Sequence, residues 1–155
     1  MKGSRILLVD DETVFTDNMT RLLTTRGYSV TSVDSGEAAI QILGEKDFDV
    51  IVLDLKMPGM DGITTLKEIS KLGLFAQTLI LTGHGSIDTA LEAIKLGAYD
   101  YLTKPCEIDE LVNKIEGAWE KKDEEEKEDT QEKIQKVVES PSSVFELFPK
   151  RKRKG

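Results

Sequence analysis

The stretch that most constrains this chain is residues 50–62, VIVLDLKMPGMDG. Val50, Ile51, Val52 and Leu53 are consecutive β-forming residues with no polar alternation, the pattern of a strand covered on both faces. Asp54 follows at once. A charged carboxylate is costly inside a dry core, so it belongs at the strand's carboxyl edge, facing a crevice. Pro58, Gly59 and Gly62 force a turn, and Asp61 is placed to cap a helix whose Ile63, Leu66 and Ile69 recur at helical spacing. Taken by itself, the stretch also reads as an ordinary strand, loop and solvated aspartate. The rest of the chain decides between the two.

Strand and helix patterns alternate along the sequence. Residues 5–10 (RILLVD) form a short apolar strand, followed by a helix with Phe15, Met19, Leu22 and Leu23 on one face and Gly27 at its end. Residues 28–33 alternate like a strand with one face less buried, and Asp34 or Ser35 caps a short helix through Ala39, Ile42 and Leu43. After the central strand and its helix, residues 78–81 make another strand and residues 82–85 a loop. Ser86 opens a helix with Ile87, Ala90, Leu91 and Ile94, and Gly97 closes it. Residues 99–102 form a fifth strand, with Lys104 and Pro105 directly after it. Ile108, Leu111, Val112, Ile115, Ala118 and Trp119 then mark one face of a last core helix.

Repeated βα units of this length imply an α/β fold, a doubly wound parallel sheet of five strands with helices on both faces. In such sheets the chemistry lies beyond the strands' carboxyl ends. Asp10 and Asp11 end the first strand, Asp54 the third and Thr82 the fourth, and Lys104 follows the fifth. Carboxylates crowded in this way either hold protons at raised pKa or bind a hard cation through oxygen. Mg2+ suits the site, because it needs only one or two carboxylates and commonly completes its shell with phosphate oxygens. A phosphoryl group there would meet Lys104 as a point charge and Thr82 as a donor, with Asp54 as nucleophile. Two residues are read as plain structure: His84 is a loop residue, neither phosphoacceptor nor ligand, and Cys106 is a structural thiol. Packing on the last helix is one role for Tyr101, and another stays equally open.

The acidic pair Asp10 and Asp11, Asp54 in LDLKMPGMDG, Thr82 in LTGHG and Lys104 with Pro105 in DYLTKP resemble the receiver domain of two-component response regulators. The resemblance covers about residues 4–119, and residues 82–105 are most like receivers of the nitrogen-regulator type. It implies strand order 2-1-3-4-5, the order found in the chemotaxis receiver. It further implies Mg2+-dependent phosphotransfer to Asp54 from a sensor histidine kinase or a histidine phosphotransfer protein. Asp11, Asp54 and the Lys56 backbone carbonyl would hold the metal, with Asp10 helping through water. Thr82 and Lys104 would hold the phosphoryl oxygens, Thr82 and Tyr101 would switch together, and the Lys104–Pro105 peptide would be cis. The protein would be a phosphoacceptor that assists its own phosphorylation and dephosphorylation rather than an enzyme. It would signal through a protein partner or a second copy bound at the face formed by residues 86–119. Aspartyl-phosphate hydrolases resemble a different pattern, with a second aspartate two positions on, where this chain has Lys56. A receiver-shaped module that is never phosphorylated would not need the intact set Asp11, Asp54, Thr82 and Lys104.

Composition sets the remaining expectations. A chain of 155 residues with 39% hydrophobic content holds one real core, assigned here to residues 1–119. That part has 11 basic and 19 acidic residues and carries the whole net charge of -8, while the remaining 36 residues have 10 of each. Residues 120–133 contain no apolar side chain and 12 charged ones, so residues 120–139 are expected to be a charged extension. It would be helical through pairs such as Lys122 with Glu126, Asp123 with Lys127 and Asp129 with Lys133. Residues 140–155, ending in the basic run 150–154, read as a disordered tail. One cysteine and no apolar span of membrane length indicate a cytoplasmic protein without a membrane anchor. The acidic core and the lack of room for an output module give the expectation of a stand-alone receiver without direct DNA contact.

Overall fold

The computed structural model describes residues 3–57, 59–83 and 87–143. Five strands form one parallel sheet: β1 (Arg5–Val9), β2 (Ser29–Val33), β3 (Val50–Asp54), β4 (Gln77–Thr82) and β5 (Asp100–Thr103). Their order is β2-β1-β3-β4-β5, as the resemblance implied. The helices are α1 (Thr13–Thr25), α2 (Gly36–Leu43), α3 (Gly62–Ser70), α4 (Ile87–Lys95) and α5 (Ile108–Glu139), with a 3-10 turn at Pro141–Ser143.

Side-chain alternation along the strands divides the interior into two layers. Leu7, Val9, Ile51, Leu53 and Ile80 face α2, α3 and α4, where they meet Ala39, Leu43, Leu66, Ile69, Ala90 and Ala93. Ile6, Leu8, Val50, Val52, Leu79, Leu81 and Leu102 face α1 and α5, against Met19, Leu23, Leu111, Ile115 and Ala118. Every residue of β3 and β4 is buried, which explains why neither strand alternates in sequence, whereas edge strand β2 stays partly open.

Local sequence sets the element ends. The Ser35 hydroxyl accepts from the Ala38 amide, so Ser35 rather than Asp34 caps α2, and Asp61 accepts from the Thr64 amide to cap α3. After α4, Gly97 takes φ +110°, and the Ala98 and Gly97 amides return to the carbonyls of Ala93 and Ile94. This is a Schellman closure, for which glycine pays no Cβ penalty. Gly62 serves another purpose: a Cβ there would run into the Leu55 Cα and the Asp54 carbonyl. Its absence lets the first turn of α3 close against the end of β3.

The core helix does not stop near Trp119. It continues unbroken as α5 to Glu139, 32 residues and about 48 Å at 1.5 Å per residue. All three expected pairs form on it: Lys122 with Glu126 at 2.8 Å, Lys127 with Asp123 at 2.8 Å and Lys133 with Asp129 at 3.1 Å. Two contacts to the sheet's amino edge secure its middle. Lys122 Nζ lies 3.0 Å from Asp49 Oδ1, and Gln77 Nε2 donates to Glu125 Oε2 at 3.0 Å. Residues 144–155, with the basic run, lie outside the described residues.

Candidate functional site

Asp54 is the last residue of β3 and is only 4% exposed. The turn after it aims the Lys56 amide at Asp54 Oδ1, 3.2 Å away. Asp10 follows β1, and its amide continues the ladder by donating to the Val33 carbonyl. Its Oδ1 accepts from the Glu12 amide at 2.9 Å, an Asx-turn that folds residue 12 back over the strand end. Asp10 Oδ2 is sealed from solvent and accepts no hydrogen bond of good geometry; what faces it is the Lys104 ammonium at 2.5 Å.

Lys104 is fixed from its backbone outward. Its amide donates to the Thr82 carbonyl at 2.8 Å, and the Lys104–Pro105 peptide is cis. Its Nζ lies 2.8 Å from Glu12 Oε1, 3.7 Å from Asp54 Oδ2 and 4.5 Å from the centre of the Phe15 ring. Thr82, the last residue of β4, is buried, with its hydroxyl donating to the Gly83 carbonyl at 3.3 Å. Strand ends β1, β3, β4 and β5 thus assemble Asp10, Asp54, Thr82 and Lys104 at one edge, as the topology rule requires.

The electrostatics follow from burial. Desolvation, and then the neighbouring Asp10 charge, push Asp54 from 3.8 up to about 6, against the pull of the Lys56 amide and Lys104. Burial works against the Lys104 ammonium, but its bonds to Asp10 and Glu12 outweigh that cost and raise its pKa. Lys104 therefore stays charged beside the carboxylates. Burial, with Glu110 beside it, raises Cys106 as well, as suits a structural thiol rather than a reactive one.

The acidic group takes its shape at the turn after β1. Among the described residues, the carboxylate oxygens within 4.8 Å of one another belong to Asp10, Glu12 and Asp54. Asp11 is exposed at the bend, and Asp10 is buried within the group. The cause is the Asx-turn: it points residue 10 inward, leaves residue 11 outside and returns residue 12. The sequence reading gives Glu12 no role, and Phe15 only a place on the apolar face of α1. The signal for Glu12 was an Asp two residues before it, the spacing of that turn.

Tyr101 is half-buried against the layer that holds Ala90 and Ala93 of α4, whereas Tyr99 packs on the α5 side. It pairs in register with Ile80, and Thr82 pairs with Thr103, so Tyr101 and Thr82 stand on neighbouring strands. The Lys56 side chain is exposed. Pro58, His84, Gly85 and Ser86 lie outside the described residues, so the readings placed on them do too.

With this geometry in place, the family model of the response regulator receiver domain matches residues 6–116. The chain belongs to that family. The receiver is 42% identical over 113 residues to Transcriptional regulatory protein ZraR of Escherichia coli (strain K12), a match covering 73% of this chain and 26% of that protein. It is 39% identical over 111 residues to DNA-binding transcriptional regulator NtrC of Klebsiella pneumoniae, covering 72% and 24%. The nitrogen-regulator likeness read from residues 82–105 agrees with this. A solved response regulator receiver domain protein from Clostridium thermocellum matches at TM-score 0.74 and 36% identity, over 77% of this chain and 97% of that one.

The receiver thus spans about a quarter of the two curated relatives. One of them is DNA-binding by name, so the expectation of a protein without direct DNA contact finds no support here. Phosphorylation by histidine kinases and Mg2+ binding in an acidic pocket are general features of the family. The residues present fit such an ion, because the grouped donors are all carboxylate oxygens, as a hard cation prefers. Among the described residues, no helix is long and apolar enough to cross a membrane.

Proposed function

We propose that this receiver accepts a phosphoryl group on Asp54 from the phosphohistidine of a sensor kinase or a histidine phosphotransfer protein. The observation that carries the reading is the setting of Asp54: a buried carboxylate at the end of the central strand with the Lys104 ammonium 3.7 Å away. A carboxylate oxygen of Asp54 attacks phosphorus, the bond from phosphorus to the imidazole nitrogen breaks, and an acyl phosphate forms while the imidazole leaves. Lys104 supplies fixed positive charge, and Thr82, at the end of the adjoining strand, supplies a hydroxyl donor.

Mg2+, when bound, offsets the negative charge that gathers as a phosphoryl group nears these carboxylates. Asp11, Asp54 and the Lys56 backbone carbonyl would hold it, with the buried Asp10 helping through water. The same residues assist both gain and loss of the phosphoryl group, so the chain acts as a signalling phosphoacceptor. The face formed by α4, β5 and the start of α5 then meets a protein partner or a second copy.

Intact-mass measurement after incubation with acetyl phosphate and MgCl2 tests this reading. The protein should gain one phosphoryl group, Asp54→Asn should gain none, and excess EDTA should abolish labelling. Labelling that persists in Asp54→Asn or in EDTA would overturn it.

A further inference from the structure

Lys104 is the pivotal cation of the site, and besides Asp54 it has three neighbours of different kinds. Asp10 is buried at 2% exposure, and Phe15 lies beneath the ammonium as part of the α1 packing. Glu12 alone is open: its side chain is 64% exposed, yet its Oε1 is 2.8 Å from the ammonium. Glu12 is also the N-cap residue of α1, a position whose side chain ordinarily bonds the helix's first amides, but it makes no such bond. Its carboxylate is committed to Lys104 instead.

We propose that Glu12 is a positioning residue: it engages the Lys104 ammonium while Asp54 is unmodified and must release it before Lys104 can serve the phosphoryl group. This rests on Asp54 as the acceptor. Of the groups on Lys104, Asp10 and Phe15 are set by packing, whereas Glu12 can rotate into solvent without breaking a cap or exposing core. The incoming phosphoryl oxygens, attached beside Asp54 Oδ2, compete with Glu12 for the same donor. Glu12 therefore slows phosphoryl entry, and an open ion pair of this kind corresponds to about two- to fivefold in rate.

The experiment is a double-mutant cycle on labelling by acetyl phosphate at saturating MgCl2, using Glu12→Gln, Lys104→Met and the pair. Glu12→Gln should label about two- to fivefold faster when Lys104 is present and show no change in the Lys104→Met background. The same acceleration in both backgrounds would mean that Glu12 acts through bulk charge or on the metal, and would overturn the proposal, as would no acceleration at all. A second readout needs neither metal nor phosphodonor. In EDTA, the 15Nζ resonance of the Lys104 ammonium should shift or broaden in Glu12→Gln, and an unmoved resonance would show that the contact does not hold. Failure of the unaltered protein to label defeats the acceptor reading, whereas normal labelling with an unmoved ammonium resonance defeats the Glu12 proposal alone.

Discussion

Asp49 directly precedes buried strand β3 and Asp54 ends it, and their surroundings push them in opposite directions. Burial raises Asp49, but the Arg5 amide and guanidinium, with Lys122, more than offset it and hold the carboxyl below its ordinary value. The stability this contributes is present above the unfolded-state pKa and is lost as pH falls through the folded-state value. Asp54 has burial and the Asp10 charge against it, and moves from 3.8 up to about 6. Between these two values the folded state binds more protons than the unfolded state, so stability falls as pH rises through the window. In EDTA, Asp54→Asn should therefore be more stable than the unaltered protein at pH 8, by about 3 kcal/mol, and no more stable at pH 4. Urea denaturation at the two values checks this. An equal gain at both would mean that the benefit comes from packing rather than charge.

At the scale of elements, α5 shows what a chain's local pattern reveals and what it hides. The apolar stripe ends at Trp119, and a boundary read from that stripe alone falls there. The i,i+4 pairs beyond it were legible because both partners lie on one helix face. What joins the two parts into one helix was not, because Lys122 finds Asp49 and Glu125 finds Gln77 across the fold. The same division holds at the site. Asp10, Asp54, Thr82 and Lys104 were legible because topology alone brings strand ends together, whereas the contact of Glu12 with Lys104 spans 92 positions and depends on a turn. The tether makes a prediction about the helix. Lys122→Ala should leave amide exchange in residues 108–119 unchanged and speed it in residues 123–139 by roughly tenfold or more, since a hydrogen bond to a charged group is worth about 1.5–3 kcal/mol. Exchange in 123–139 that matches the unaltered protein would show that the extension holds by its own pairs.

Across the whole molecule, the sheet separates a reactive edge from the surface that can report on it. Thr82 ends β4 and Lys104 directly follows β5, the strands nearest α4, and a hydrogen bond from the Lys104 amide to the Thr82 carbonyl links them. Tyr101 fills part of the layer between β5 and α4, and the outer side of α4 presents Ile87 and Leu91, 40% and 47% exposed. A change in how Thr82 and Lys104 are held is therefore passed to packed groups that have discrete alternatives, rather than to open solvent. On the far side, α1 reaches the site through the Asp10 turn, and its buried apolar contacts stay on the opposite layer. Beryllofluoride, which mimics a phosphoryl group on Asp54, should thus alter amide exchange across residues 87–103 and leave residues 16–33 nearly unchanged. Hydrogen exchange with and without beryllofluoride and Mg2+ measures both regions at once. Changes confined to residues 16–33 would place the reporting surface on the α1 side and refute the assignment to α4 and β5.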